Sequence, residues 1–167
     1  MLAPLMRPIL FALFSTLCLL GAADPSTKNY HLRDFNLGNH LTGPRVTEGA
    51  LKGKAVAIVS MGTLSGNRNS WAAAWTPEFE ELHEAHGKKV TVIGSAWSKG
   101  LVAKDLAEYA KKFKIEFTIQ AGIEHAPFEV PHDGHCLLFN AEGKLIYSGT
   151  PNKGNADFKA AIKAITE

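Results

Sequence analysis

A polar loop at 63–70 carries four residues whose types and spacing suit ligand binding: Ser65, Gly66, Asn67 and Arg68. The loop follows the apolar run AVAIVS and precedes an amphipathic run at 71–86, which predicts the order strand, loop, helix. Such a loop meets the unpaired N–H groups of a helix amino end, at the carboxyl end of a strand. We therefore predict that Gly66, Asn67 and Arg68 bind a small anion, or part of a peptide or protein. The alternative is a solvated turn.

Ser65 lacks the sequence context of a catalytic nucleophile. No Gly-x-Ser-x-Gly turn surrounds it, and the seven histidines of the chain are scattered, so none is indicated as its base. We expect Ser65 to be a polar loop residue whose hydroxyl bonds to the backbone.

The chain has two cysteines, Cys18 and Cys136. Cys18 lies in the amino-terminal apolar segment, so removal of that segment would leave Cys136 as the lone thiol. Cys136 falls in the apolar run HCLLFN, where strand alternation turns it toward the core as a small hydrophobic residue. The alternative is a thiol oxidoreductase or peroxidase that uses Cys136, which requires an exposed thiol in an electropositive setting.

Five potential metal ligands cluster in sequence: His125, His132, Asp133, His135 and Cys136. Zinc sites are usually built from two ligand pairs, and His132 with His135 offers one loose pair. We therefore predict loop histidines, with no metal and no other cofactor. Metal binding through the His125 to Cys136 segment is a second alternative.

The run at 71–86 predicts one helix bent at Pro77. Its apolar residues stay on one helical face across the proline: Trp71, Ala74, Trp75, Phe79, Leu82 and Ala85. The competing interpretation starts a helix at Thr76 as N-cap, with Pro77 in the first position. We favour the single helix because the apolar face is continuous.

Further elements follow along the chain. KKVTVIG predicts a second buried strand, the stretch from Val102 to Phe113 a helix, and EFTI at 116–119 a third strand. HCLLFN, the turn AEG and KLIYSG predict an antiparallel hairpin, and Asn155 caps a final helix. The order β-α-β-α-β-β-α indicates an α/β fold in which the first two strands pair in parallel.

The beginning of the chain has the pattern of an export signal. Arg7 supplies a positive charge, an apolar stretch follows, and Gly21, Ala22 and Ala23 supply the small residues of a cleavage site. An apolar stretch of about twelve residues is too short to cross a bilayer core of roughly 30 Å. We predict a signal peptide at 1–23, an irregular lead-in at 24–53 and one domain at 54–167 in an exported, periplasmic or extracellular protein.

Composition and charge exclude some partners. The 167 residues are 46% hydrophobic, which suits one globular domain with a core. The net charge of +2 is small, and the lysines are scattered among acidic residues. We therefore expect no nucleic acid as a partner and, after signal cleavage, no membrane.

The stretch DFNLGNHLTGPRVTEGALKGKAVAIV, followed in order by WTPEFEEL and FNAEGKLIYSG, resembles the redoxin branch of the thioredoxin-like superfamily. That branch includes peroxiredoxins and exported thiol:disulfide oxidoreductases. The resemblance covers about residues 34–165. It implies a three-layer sandwich with a central mixed sheet and helices on both faces.

Members of that family open the helix after the first strand with a Cys-x-x-Cys pair, whose first thiolate attacks a substrate disulfide. Counting from the strand puts Ser65 and Arg68 at the two cysteine positions, and counting back from Trp-Thr-Pro puts the site within 69–72. Neither register supplies a thiol. The resemblance therefore implies a degenerate active site.

Pro131 lies just before the predicted hairpin, where family members carry a cis-proline that presents backbone to a bound peptide. The segment from Pro131 to Asn140 is longer than the family pattern, and a strict count would put Gly134 at the proline's place. We interpret this segment as a remodelled substrate-facing loop. Together with the loop at 63–70, it is the predicted recognition surface of a non-catalytic binding or assembly module.

The mature protein is expected to begin at Asp24, because Gly21 and Ala23 occupy the positions where a signal peptidase requires small side chains. Amino-terminal sequencing of secreted material checks this. Retention of Met1 in that material would contradict the predicted signal peptide.

Overall fold

The computed structural model describes residues 29–62, 71–97 and 103–167, and at 71–73 and 103–105 it describes the backbone alone. A 3-10 helix at Leu32–Asp34 comes first. The strands and α-helices then follow in chain order: β1 Asn36–Leu37, β2 His40–Thr42, α1 Glu48–Leu51, β3 Ala55–Gly62, α2 Trp71–His86, β4 Val90–Ala96, α3 Ala103–Phe113, β5 Thr118–Ala121, β6 Ile123–His125, β7 Asp133–Phe139, β8 Leu145–Gly149 and α4 Ala156–Thr166.

A six-stranded mixed sheet has the order β2-β5-β4-β3-β7-β8. β3 pairs in parallel with β4, and β4 pairs in parallel with β5, which confirms the parallel pairing predicted from the successive strand and helix units. The remaining neighbours, β2 with β5, β3 with β7 and β7 with β8, are antiparallel. β1 and β6 form a separate two-stranded sheet.

The two faces of the large sheet are covered differently. Side chains of α2, α3 and α4 join the larger core cluster, which includes Phe79, Leu106 and Phe158. The second cluster includes Val56, Ile58 and other strand residues, and it is covered by the segments at 30–51 and 123–130. The short α1 lies in one of these segments, so helices lie on both faces of a mixed sheet, as the resemblance implies.

α2 runs without a break through Pro77, which confirms a single helix rather than a start at Thr76. Phe79 and Leu82 are buried on its inner face, as predicted. Ala74 and Ala85 are exposed, so the apolar face is narrower than the sequence predicts. Alanine has a small side chain and high helix propensity, so it suits an exposed helix position as well as a buried one.

The lead-in at 24–53 was predicted to be irregular, and its described part has more regular structure than its composition indicates. It contains the 3-10 helix, β1, β2 and α1, with the Thr47 hydroxyl accepting from the Ala50 N–H at the start of α1. Leu32, Val46 and Leu51 pack on the second core cluster. Pairing of β2 with β5 makes this segment part of the sheet, a long-range contact that local composition does not encode.

The structure of the carboxyl-terminal part agrees closely with the sequence-based predictions. β7 and β8 form the predicted hairpin, and β5 lies at 118–121, slightly later than predicted. The Asn155 side chain accepts hydrogen bonds from the backbone N–H groups of Asp157 and Phe158, which caps α4 as predicted. None of the helices in the described ranges has the length and apolar content of a membrane span.

Candidate functional site

Gly62, the last residue of β3, joins two neighbouring segments. Its N–H donates to the His132 carbonyl at 2.8 Å, and its own carbonyl accepts from the Trp97 N–H at 3.0 Å. Its φ is +61°, and a Cβ built there would lie 2.8 Å from Cγ of Asp133. Both observations favour glycine over any other residue. Gly62 therefore holds the end of β4 beside the start of β7.

Trp97 and His132 stack at this junction, with ring centroids 4.0 Å apart and an angle of 34° between the ring planes. Trp97 is 38% exposed, and among the described residues it is the one large hydrophobic side chain that is exposed. His132 is exposed as well. Exposed aromatic surface at the carboxyl end of a sheet is typical of a contact site for a ligand or partner.

A cavity of about 210 Å³ lies beside the aromatic pair. It is lined by residues of β3, β4 and the segment at 122–132: Ser60, Ser95, Trp97, Gly122, Ile123, Ala126, Phe128, Glu129, Val130, Pro131 and His132. Ser60 and Ser95 are each 5% exposed and pair across β3 and β4. Two buried hydroxyl groups therefore face a cavity whose other walls are mainly apolar.

Pro131 lines this cavity and is exposed, so one predicted binding residue belongs to the site. The described residues contain no cis peptide bond, so Pro131 differs from the cis-proline that the resemblance implies. The other predicted binding residues, Gly66, Asn67 and Arg68, lie outside the described residues together with Ser65.

Solved structures share this arrangement of strands and helices. A thiol-disulfide isomerase from Corynebacterium glutamicum is 14% identical, with a TM-score of 0.60, and the match covers 83% of this chain and 97% of that chain. The chain has the thioredoxin-like fold. The thioredoxin domain of a thiol-disulfide oxidoreductase from Bacteroides vulgatus matches with a TM-score of 0.57 at 16% identity, over 80% of this chain and 94% of that chain.

A member of the Sco family of cytochrome c oxidase assembly proteins is also similar. It is 17% identical, with a TM-score of 0.54, and the match covers 84% of this chain and 96% of that chain. No protein-family model matches the chain, and no curated protein sequence matches it. At these identities, the comparisons establish the thioredoxin-like fold and do not extend to activity.

In this thioredoxin-like fold, Cys136 lies in the interior of the sheet. It is on β7 opposite Val59 of β3 and is 0% exposed, as strand alternation predicts. Burial raises the pKa of the Cys136 thiol far above its ordinary range, and the nearby negative charge of Glu78 raises it further. The thiol is therefore protonated at neutral pH and out of reach of a substrate.

The three histidines of the proposed metal-binding segment lie in different surroundings in the thioredoxin-like fold. His132 stacks on Trp97, and Nε2 of His135 lies 2.9 Å from the Ser148 hydroxyl oxygen. His125 is exposed on β6. Among the described residues, no group of three His, Cys, Asp or Glu side chains is close enough to hold a metal ion. The structure therefore gives no support to the metal-binding alternative in those ranges.

Sequence reasoning missed Trp97, Ser60 and Ser95. Ser60 and Ser95 lie near the carboxyl ends of β3 and β4, where they interrupt runs of apolar residues, and Trp97 directly follows β4. A polar residue at the carboxyl end of a buried strand was the available signal, because that end of an α/β sheet is where ligands bind. The pairing of Trp97 with His132 depends on tertiary structure and has no local signal.

Cys136 is expected to react slowly with a thiol reagent in the native protein and rapidly in denaturant, because burial removes access and disfavours the thiolate. Absorbance of a chromogenic disulfide reagent measures both rates. Equal rates in the two states would contradict the buried placement.

The same raised pKa has a consequence for pH dependence. The folded state holds the thiol proton more tightly than the unfolded state, so this stabilisation is complete below about pH 8.5 and is lost as the pH rises further. Cys136→Ala is the matched control, and its unfolding free energy should fall less steeply in the alkaline range.

Proposed function

We propose that this thioredoxin-like protein has a degenerate active site and acts as a non-catalytic binding or assembly module. The observation that carries the proposal is the complete burial of Cys136, the one cysteine in the described ranges. The sequence has no cysteine between positions 19 and 135, so neither register of the family motif supplies a thiol.

Disulfide chemistry requires an accessible thiolate. The hydroxyl of Ser65 is far less acidic than a thiol and cannot form a disulfide, so it does not replace the catalytic cysteine. A redox enzyme that used Cys136 would have to expose a residue of β7 whose partner strand is the fully buried β3. We therefore propose a binding function rather than a catalytic one.

The proposed recognition surface consists of Trp97, Pro131 and His132 together with the loop at 63–70. Exposed tryptophan beside proline and histidine suits contact with a peptide or protein, because aromatic side chains contribute much of the binding energy at interfaces. A small anion at the loop is the other ligand that we propose for this surface. The assembly role named for the similar Sco-family protein is consistent with a binding function.

We also propose that the protein is exported. The support is the charge, apolar stretch and small residues of the segment at 1–23. An exported binding module would meet its partner in the periplasm or outside the cell.

The purified protein is expected to retain peptides from a random peptide library. Trp97→Ala should lower the affinity for these peptides by about tenfold or more, as expected for a residue that anchors an interface. Lys159→Ala is the matched control, since Lys159 is an exposed residue of α4 outside the proposed surface. Fluorescence anisotropy of labelled peptides measures the affinities. Insulin reduction by the wild-type protein, or the absence of any retained peptide, would contradict the proposal.

Restoration of a dithiol tests the degenerate active site directly. If the strand-based register is right, Ser65→Cys together with Arg68→Cys should form a disulfide and give weak insulin reduction. That register would put the two cysteines three residues apart on one face at a helix start, where the helix amino end lowers a thiol pKa. The control is Asn69→Cys together with Ala72→Cys. If only the control pair forms a disulfide, the strand-based register is wrong.

A further inference from the structure

We propose that the cavity beside Pro131 binds a phenol ring, presented as a tyrosine side chain by a partner polypeptide. This inference rests on the proposed binding function and names the ligand chemistry of that surface. Three observations support the inference: the hydroxyl groups at the floor of the cavity, the volume and apolar walls of the cavity, and the charged residues around it.

The floor has two hydroxyl groups available for hydrogen bonding. Ser60 and Ser95 are adjacent residues of neighbouring parallel strands, so their side chains lie on the same face of the sheet, roughly 5 Å apart. Each is 5% exposed and lines the cavity. The structure records no hydrogen bond for either hydroxyl among the described residues. A hydroxyl at the floor of a mainly apolar cavity favours a ligand that offers it a hydrogen bond.

The size and walls of the cavity suit a single aromatic ring. Its volume is about 210 Å³, and a dry cavity of roughly 150 Å³ is sufficient for benzene. Phe128, Ile123 and Val130 are half-buried side chains that form apolar walls, and Trp97 contributes a second aromatic wall. Ring-to-ring contacts with Trp97 and Phe128 would add to the apolar area that an aromatic ligand buries.

The charges around the cavity favour a neutral ligand. No lysine or arginine is among its lining residues in the described ranges, and Glu129 places a carboxylate at the rim. A carboxylate or phosphate would therefore find no lysine or arginine there and would be repelled by Glu129. A phenol combines an apolar ring with one neutral hydroxyl that can donate to one serine and accept from the other.

The source of the ring follows from the shape of the surface. Trp97, Pro131 and His132 are exposed beside the cavity, so the contact surface extends beyond the space that one ring fills. A tyrosine side chain would fill the cavity while the backbone on either side of it contacts these residues. Tyrosine also suits this position because it buries a large apolar area and keeps a polar tip.

Discrimination between tyrosine and phenylalanine is the central test. A phenylalanine ring would fill the cavity and leave both serine hydroxyls unpaired, whereas tyrosine would satisfy them. N-acetyl-tyrosinamide is expected to bind about tenfold more tightly than N-acetyl-phenylalaninamide, an affinity difference of about 1.4 kcal/mol. Titration of the purified protein, followed by NMR chemical shifts, measures both affinities.

Substitution of the serines should remove the discrimination while leaving the fold intact, because neither hydroxyl has a recorded bond to lose. In Ser60→Ala with Ser95→Ala, the affinity ratio should fall to about one, through loss of tyrosinamide binding alone. Thr118→Val is the matched control: Thr118 lies on the neighbouring strand β5 and its hydroxyl is buried without a partner, but Thr118 does not line the cavity. This control should keep the wild-type ratio.

Several results would overturn the inference. Equal affinity of the wild-type protein for the two amides would show that the hydroxyls do not recognise the ligand. Free p-cresol binding as tightly as a tyrosine-containing peptide would overturn the polypeptide source. If library peptides bind and lose affinity in Trp97→Ala, but show no preference for tyrosine, the phenol inference fails and the proposed binding function stands. If no peptide binds at all, the proposed function itself fails.

Discussion

β3 pairs on both of its sides, with β4 in parallel and with β7 antiparallel, and all eight of its residues are buried. In such a strand the backbone groups must be satisfied by the neighbouring strands, because water does not reach them. The neighbours therefore take a fixed register, which sets Cys136 opposite Val59 and Ser95 opposite Ser60. Burial of the thiol and the polar floor of the cavity are two results of the same pairing.

The sequence was informative wherever one short segment determines its own structure. A continuous apolar run is sufficient to predict β3, because a strand buried on both faces needs no alternation. The apolar residues on either side of Pro77 predict one helix, and Asn155 predicts a helix start because its side chain can bond to the N–H groups of the first turn. The order of these elements indicated an α/β fold, and the resemblance of the quoted sequence stretches to redoxins implied the thioredoxin-like one.

The candidate site was largely beyond sequence reasoning, because it is made of residues that meet only after folding. Trp97 and His132 are distant in the sequence, and the backbone bonds of Gly62 bring them together. Ser60 reads as the end of an apolar run, and its orientation toward a cavity depends on the segment at 122–132. Pro131 was predicted as a binding residue, but the resemblance that identified it says nothing about the two serine hydroxyls beneath it.

The two edge strands of the large sheet, β2 and β8, are short or partly covered. β2, at one margin, has three residues, and at the other margin the Leu145 N–H of β8 donates to the Tyr30 carbonyl at 2.9 Å. His31 adds an antiparallel bridge to Lys144 beside it. An exposed edge strand can pair with a strand of another chain, and the short β2 and the covered part of β8 leave little edge available for such pairing. Self-aggregation through added strands is therefore disfavoured.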